Sequence, residues 1–235
     1  MLQCLRGTLV ISLLHIKQMG VPIEKLICAS NENKVLFDFF KTGRYDRNRE
    51  FVLTSSPSMD ILISSNLERL IYTIAGQDAG KNAALMQQLK TEGAYEITPD
   101  MKEKLADFIG GFADEEETKA AIRDTYRSTG YVMDTHTAVA AHVCKAYREE
   151  SKDNRKALIA STASPYKFAR SVMTAIDQEY DALDEFALID ELEKVSQVDV
   201  PNAIEEIRNA EILHTRECDA DKMKETVKEI LEVEV

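Results

Sequence analysis

The chain has 235 residues, of which 44% are hydrophobic and 30% charged, and its formal net charge is -12. This is the mixture of a soluble globular chain, long enough for one large domain or one and a fraction with a sizeable core. The acidic balance argues against a nucleic-acid binder, which clusters Lys and Arg, and no stretch reaches the roughly 18 apolar residues of a membrane span.

The opening segment, Met1 to Gly20, has the outline of a signal peptide, with Arg6 ahead of the apolar run Thr8 to Ile16. It lacks a small-residue cleavage site, so a cytoplasmic protein is expected. Cys4, Cys28, Cys144 and Cys218 are scattered without a CxxC pair, as suits idle thiols in a reducing compartment. His136 and His142, six apart, fall on different helix faces, and no metal site is expected.

In chain order, Lys25 to Ser30 (KLICAS) predicts a buried strand, and Asn31 to Phe40 a helix ended by Gly43. Phe51 to Thr54 suggests a short strand, and Ser58 to Ile74 a helix with Ser58 as N-cap. The stretch from Asp78 to Arg127 predicts two or three helices outside the main sheet, with Thr98 and Asp114 at cap positions. Thr135 to Glu149 is a further helix, and Ala157 to Ala160 (ALIA) a strand. Pro165 suits the first turn of a helix reaching about Ile176. The tail from Asp181 is acidic, with a last helix near Asp221 to Glu232. Strands alternating with longer helices indicate an α/β fold on a mainly parallel sheet.

In such sheets ligands gather beyond the carboxyl ends of the strands, where helix N-termini present free N–H groups. Two turns have that form: Ser30-Asn31-Glu32-Asn33 after KLICAS, and Ser161-Thr162-Ala163-Ser164 after ALIA. A third candidate is Asp134 to Ala140 (DTHTAVA), with Asp134 or Thr135 as N-cap and His136 in the first turn. From the residues alone, capping of their own helices is the stronger reading of all three. The basic run Lys41 to Arg49 likewise suits a solvated turn better than an anion site.

The blocks LICASNENKVLFDFFKTGRYDRNREF, TSSPSMDILISSNLERLIY, DTHTAVAAHV and STASPYKFARSV together resemble threonine synthase, in the same order and at the family's intervals. The resemblance covers most of residues 17 to 176. It implies the tryptophan-synthase-β-like fold of enzymes that use pyridoxal 5'-phosphate (PLP), and conversion of O-phosphohomoserine to threonine and phosphate. By match of the STA block, it implies that Thr162 faces the pyridine nitrogen, with Ser161 and Asn31 beside the cofactor. Asn33 and His136 match positions near the substrate cleft. A hydroxyl partner, unlike a carboxylate, does not enforce a protonated ring nitrogen. The family's Schiff-base lysine lies N-terminal to everything present here, so covalent PLP attachment to this chain is not expected. No catalytic residue is assigned.

Ahead of KQMGVPIEKLICAS the family pattern calls for a strand, phosphate loop and helix of the form VP(S/T)GNFGNILAAY. This chain has QCLRGTLVISLLHI instead. Joining the third base of each codon to the first two of the next permits that family pattern at every step from Gln3 to Ile16. Residues 3 to 16 are therefore expected to be an out-of-frame image of the loop, with the frame restored near Lys17. Glycines let backbone N–H groups approach a phosphate closely, and Leu9 and Val10 are poor substitutes, so a lost or distorted phosphate site is expected. The apolar run Thr8 to Leu14 is still expected to form a helix or strand.

The resulting division is an aberrant segment 1–16, an α/β domain 17–180 with a helical insertion at about 78–130, and an acidic helical region 181–235. Two functional readings follow: a threonine synthase chain without its lysine, inactive alone, or a non-catalytic piece that pairs with a separate N-terminal half.

Overall fold

The computed structural model describes residues 2–5 and 7–232, with side chains from Ser12 onward. Strand β1 (Leu2–Leu5), helix α1 (Gly7–Gln18) and strand β2 (Lys25–Ser30) form the first unit. The two strands are parallel, with Leu2 opposite Lys25 and Leu5 opposite Cys28, so α1 is the crossover that parallel pairing requires. The apolar run Thr8 to Leu14 is thus helical, and Leu13 is buried beneath it. What Leu9 and Val10 do to a phosphate site lies outside the residues whose side chains are described.

Helix α2 (Val35–Thr42) follows β2 and stops at Gly43, whose φ of 86° is the left-handed C-cap conformation that favours glycine. Strand β3 (Arg44–Asp46), helix α3 (Leu67–Ile74), helix α4 (Ala79–Glu92) and strand β4 (Ala94–Glu96) come next. β3 and β4 pair antiparallel and stack Tyr45 on Tyr95, with ring centroids 5.3 Å apart. After helix α5 (Pro99–Glu103), strand β5 (Phe108–Phe112) returns to the main sheet. Helices α6 (Glu115–Thr129) and α7 (Thr135–Ser151), strand β6 (Ala157–Ile159), and helices α8 (Ala169–Ile176) and α9 (Glu185–Ser196) complete the larger unit, which reaches Asp199. The smaller unit, from Val200, holds helices α10 (Asn202–Arg208) and α11 (Met223–Ile230). α9, grouped by sequence with the acidic tail beyond 180, buries Leu188, Ile189 and Leu192 in the larger unit.

The main sheet is parallel throughout in the order β5-β2-β1-β6. Side chains alternate across a strand, and β2 sends Leu26 and Cys28 into one core while Ile27 and Ala29 enter another. The first core gathers Leu13 of α1, Val35, Leu36 and Phe39 of α2, and Leu70, Ile71 and Ile74 of α3. The second gathers Val139, Ala140, Val143 and Cys144 of α7. Burial pushes the Cys28 thiol up to about 12 and raises that of Cys144, so both behave as small core residues.

Three local expectations are corrected. Within the stretch 78–130, expected to be helical, Phe108–Phe112 (FIGGF) is the edge strand beside β2. Its glycines are required by packing. A Cβ on Gly110 would lie 2.9 Å from the Phe37 Cα, and one on Gly111 would lie 2.3 Å from Val143 Cγ1. The pair lets α2 and α7 seat closely on opposite faces, a reason for glycine that propensity does not carry.

Phe51 to Thr54 is not a strand, because the Asn33 side chain takes the place of a neighbouring backbone. It accepts from the Val52 N–H at 3.0 Å and donates to the Val52 carbonyl at 2.7 Å. Ser58 does not start a helix either. A short 3-10 turn, Pro57–Met59, buries Met59, and the true helix begins only at Leu67, after Asn66. Between them Asp60 is drawn into a hydrogen-bond hub that regular helix geometry would not permit.

Gly111→Ala is expected to cost about 1–3 kcal/mol by overpacking. Val143→Ala in the same chain should recover part of that loss, as read from chemical denaturation of the two single variants and the double variant.

Candidate cofactor and substrate site

β2 runs into Asn31 and Asn33, β6 runs into Ser161 and Thr162, and β1 lies between them in the sheet and leads to α1. The candidate residues therefore collect at the carboxyl edge of one parallel sheet, where this architecture leaves room for ligands.

Asn31 and Asn33 are only 2% and 4% exposed, so their amides must find partners inside the protein. The Asn31 Oδ1 accepts from the Asn33 backbone N–H at 3.0 Å, which forms the turn after β2. Its Nδ2 lies 2.7 Å from Asp60 Oδ1, 2.8 Å from Thr54 Oγ1 and 3.1 Å from Ser56 Oγ. Asp60 also accepts from Asn33 Nδ2 at 3.0 Å, from the Thr54 hydroxyl at 2.7 Å and from the Thr54 backbone N–H at 3.0 Å. On the opposite side Glu115 accepts from the Ser55 N–H at 2.9 Å. Segment 52–60 is thus fastened as a wall beside the end of β2. The cavity beneath it, lined by Ser30, Tyr45 and Met59, has about 30 Å³ accessible to water, which is too little for a cofactor.

A second network organises the other turn. Asp134, 1% exposed, caps α7 by accepting from the backbone N–H groups of His136 at 2.8 Å and Thr137 at 3.2 Å. The same carboxylate accepts from the Thr137 hydroxyl, whose oxygen lies 2.9 Å from Ser161 Oγ, and meets His136 Nδ1 at 3.2 Å. Burial alone would raise the Asp134 pKa, but the hydrogen bonds from His136 and Thr137 outweigh it and hold the carboxyl below the usual 3.8. His136 is buried, with its ring 4.8 Å from that of Phe168, and its Nε2 accepts from the Ser58 N–H at 3.2 Å. Asn31, Asn33, His136 and Ser161 therefore belong to two networks joined through segment 52–60.

Thr162 stands apart from them: it is exposed, and its hydroxyl makes no hydrogen bond among the described residues. Ser161 is anchored and Thr162 is free, which is the division of labour expected of a ligand-facing turn. The basic run closes on its neighbours instead, with Arg49 paired to Asp38 at 2.7 Å and Arg44 to Asp46 at 3.1 Å. Among the described residues no cluster of His, Cys, Asp and Glu is placed to hold a metal ion, and no helix is long and apolar enough to cross a membrane.

Sequence reasoning missed Asp60 as a hub and saw Asp134 only as a cap. The pattern of Asn31, Asn33, Thr54 and Asp60 carries no motif, because its partners are brought together only by the chain's return over β2.

Residues 137–215 match the model of the family described as "Threonine synthase, C-terminal". Threonine synthase of Saccharomyces cerevisiae is 39% identical over 199 residues, covering 77% of this chain and 38% of that protein. Threonine synthase-like 1 of Macaca fascicularis is 42% identical over 169 residues, covering 71% of this chain and 22% of that protein. The solved structure of PLP-bound threonine synthase from Brucella melitensis superposes with a TM-score of 0.68 at 34% identity, over 74% of this chain and 38% of that one. The chain thus spans less than half the length of these relatives.

Two measurements test the networks. Asp60→Ala strips an acceptor from four donors, and it should lower stability by about 2–3 kcal/mol in chemical denaturation. Asp134 has a depressed pKa in the fold, so its carboxylate contributes stability above the unfolded value and loses it as pH falls through the folded one. The stability gap between the unmodified chain and Asp134→Asn should be full above about pH 4 and close below it, as followed by thermal melts at several pH values. In sequence and fold this chain matches the C-terminal region of the threonine synthase family, with the α/β fold of the PLP-bound Brucella melitensis enzyme.

Proposed function

We propose that the chain contributes the C-terminal part of a threonine synthase, which converts O-phosphohomoserine to threonine and phosphate with PLP. The observation that carries this reading is the free hydroxyl of Thr162 on a turn whose preceding residue, Ser161, is pinned to Thr137. That donor set fits the edge of a pyridine ring. A neutral hydroxyl can hydrogen-bond a ring nitrogen without requiring it to be protonated. When bound, the cofactor supplies the electron sink for cleavage of the carbon–oxygen bond to phosphate.

The chain's own residues do the positioning. Thr162 would hold the ring nitrogen, Ser161 fixes the turn, and Asn31 holds the neighbouring wall against Asp60. Asn33 secures that wall at Val52, on the side assigned to the substrate cleft. The lysine that the family uses to attach PLP has no counterpart in residues 1–235, so covalent attachment and turnover draw on a lysine outside these residues. The buried Cys28 and Cys144, with no disulfide among the described cysteines, suit a reducing cytoplasm.

A second reading, a non-catalytic piece that pairs with a separate N-terminal half, rests on the same missing lysine.

The test has two arms. Residues 1–235 mixed with PLP and borohydride should yield no cofactor-labelled lysine. Combined with an N-terminal threonine synthase half that supplies the lysine, they should release phosphate from O-phosphohomoserine, and Thr162→Ala should reduce that release at least about tenfold, as loss of one positioned polar contact does. A labelled lysine on residues 1–235, or activity indifferent to Thr162, would refute the reading. Cofactor binding without phosphate release would favour the partner-domain alternative.

A further inference from the structure

We infer that His136 is a positioning residue rather than a substrate ligand. Asp134 sets its tautomer so that the imidazole latches segment 52–60 to the Ser161-Thr162 turn. The functional meaning of the latch rests on the reading of Thr162 given above; its physical existence does not.

A backbone N–H can only donate, so the Ser58 N–H, 3.2 Å from Nε2, requires a lone pair on that nitrogen. The proton of a neutral imidazole then sits on Nδ1, where Asp134 Oδ1 waits at 3.2 Å. A carboxylate is acceptor-only, so it selects this tautomer and rejects the opposite one, in which two lone pairs would face each other. Both ring nitrogens are consumed inside the protein, the side chain is 5% exposed, and one flank is covered by Phe168. Little of the ring is left to touch a ligand.

The latch joins elements that the sheet holds apart. Asp134 also binds Thr137, which touches Ser161 on the turn after β6. Ser58 belongs to the segment that Asp60 fastens to Asn31 and Asn33 after β2. β1 separates β2 from β6 in the sheet. The chain of contacts Ser161, Thr137, Asp134, His136, Ser58 therefore spans the carboxyl end of β1, the gap a bound cofactor would cross. A carboxylate that fixes an imidazole tautomer through the ring's other nitrogen is a recurrent way to hold a site in register.

The test uses residues 1–235 with 15N-labelled histidine, without cofactor. The nitrogen shifts of His136 should report a protonated Nδ1 and a bare Nε2. The Ser58 amide should exchange with solvent at least about tenfold faster in His136→Phe, which keeps the ring packing but loses the acceptor. His136→Gln, whose carbonyl oxygen reaches the place of Nε2, should restore most of the protection. Asp134→Ala, which removes the Oδ1 that both caps α7 and accepts from Nδ1, should shift the ring toward the Nε2-protonated form and expose Ser58. Amides of β2 serve as the reference for global stability. A bare Nδ1 in the unmodified chain would overturn the latch, as would Ser58 exchange that moves only together with β2. Those outcomes would leave Thr162 and PLP untouched, and an absence of PLP chemistry would leave the tautomer result standing.

Discussion

The arrangement depends on a single constraint: β2 must be covered on both faces. A parallel strand flanked by parallel neighbours has no solvent side, and the alternation of Leu26 and Cys28 with Ile27 and Ala29 demands two apolar layers. α1 and α2 provide one and α7 provides the other. The close seating of α2 and α7 requires the glycine pair on β5, which is why an apparently weak strand borders the best-buried one. Once α7 lies under β2, its N-terminus, capped by Asp134, is carried to the same edge of the sheet as the turn after β6. The candidate site follows from packing, since the residues at the strand ends have nowhere else to gather.

Polar satisfaction then decides which of those residues face inward. Asn31 and Asn33 are buried by the return of segment 52–60 over β2, and a buried amide without partners would cost more than any single contact returns. Their amides are accordingly spent on Asp60, Thr54, Ser56 and Val52. Ser161 and Thr162 are both exposed, but Ser161 meets Thr137 whereas the Thr162 hydroxyl meets no described residue. Four of these side chains are engaged within the protein and one hydroxyl is free.

Much of the fold was legible in the residues. KLICAS, the helix at Thr135, ALIA, the helix after Pro165 and the Gly43 stop all carry local signals that tertiary packing reinforces. What was hidden depends on partners distant in sequence. FIGGF reads poorly as a strand until Phe37 and Val143 press on it. Phe51 to Thr54 reads as a strand although an asparagine side chain occupies its ladder position. The run from Ser58 has helical periodicity, yet Asp60 is held by hydrogen bonds stronger than a few tenths of propensity per residue can resist. The candidate site was legible as positions but not as roles: sequence named Asn31, Asn33, His136, Ser161 and Thr162, and only the hydrogen-bond partners separate Thr162 from the rest.

The N-terminal segment shows how far such packing rules reach. Its residues do not follow the family pattern, yet backbone topology places β1 between β2 and β6 and runs α1 back over the sheet. The demand met there is coarse: a short extended segment that pairs, then an apolar helix that buries Leu13 beside Leu26 and Cys28. Backbone pairing and apolar cover are tolerant requirements, satisfied by many sequences of the right period. A phosphate loop is intolerant, because it needs glycine at the few positions where backbone N–H groups converge on an anion. A segment can therefore keep its place in the sheet without the glycines such a loop needs. The wall built from Asp60 and Asp134 depends on the sheet and on α7, not on that loop.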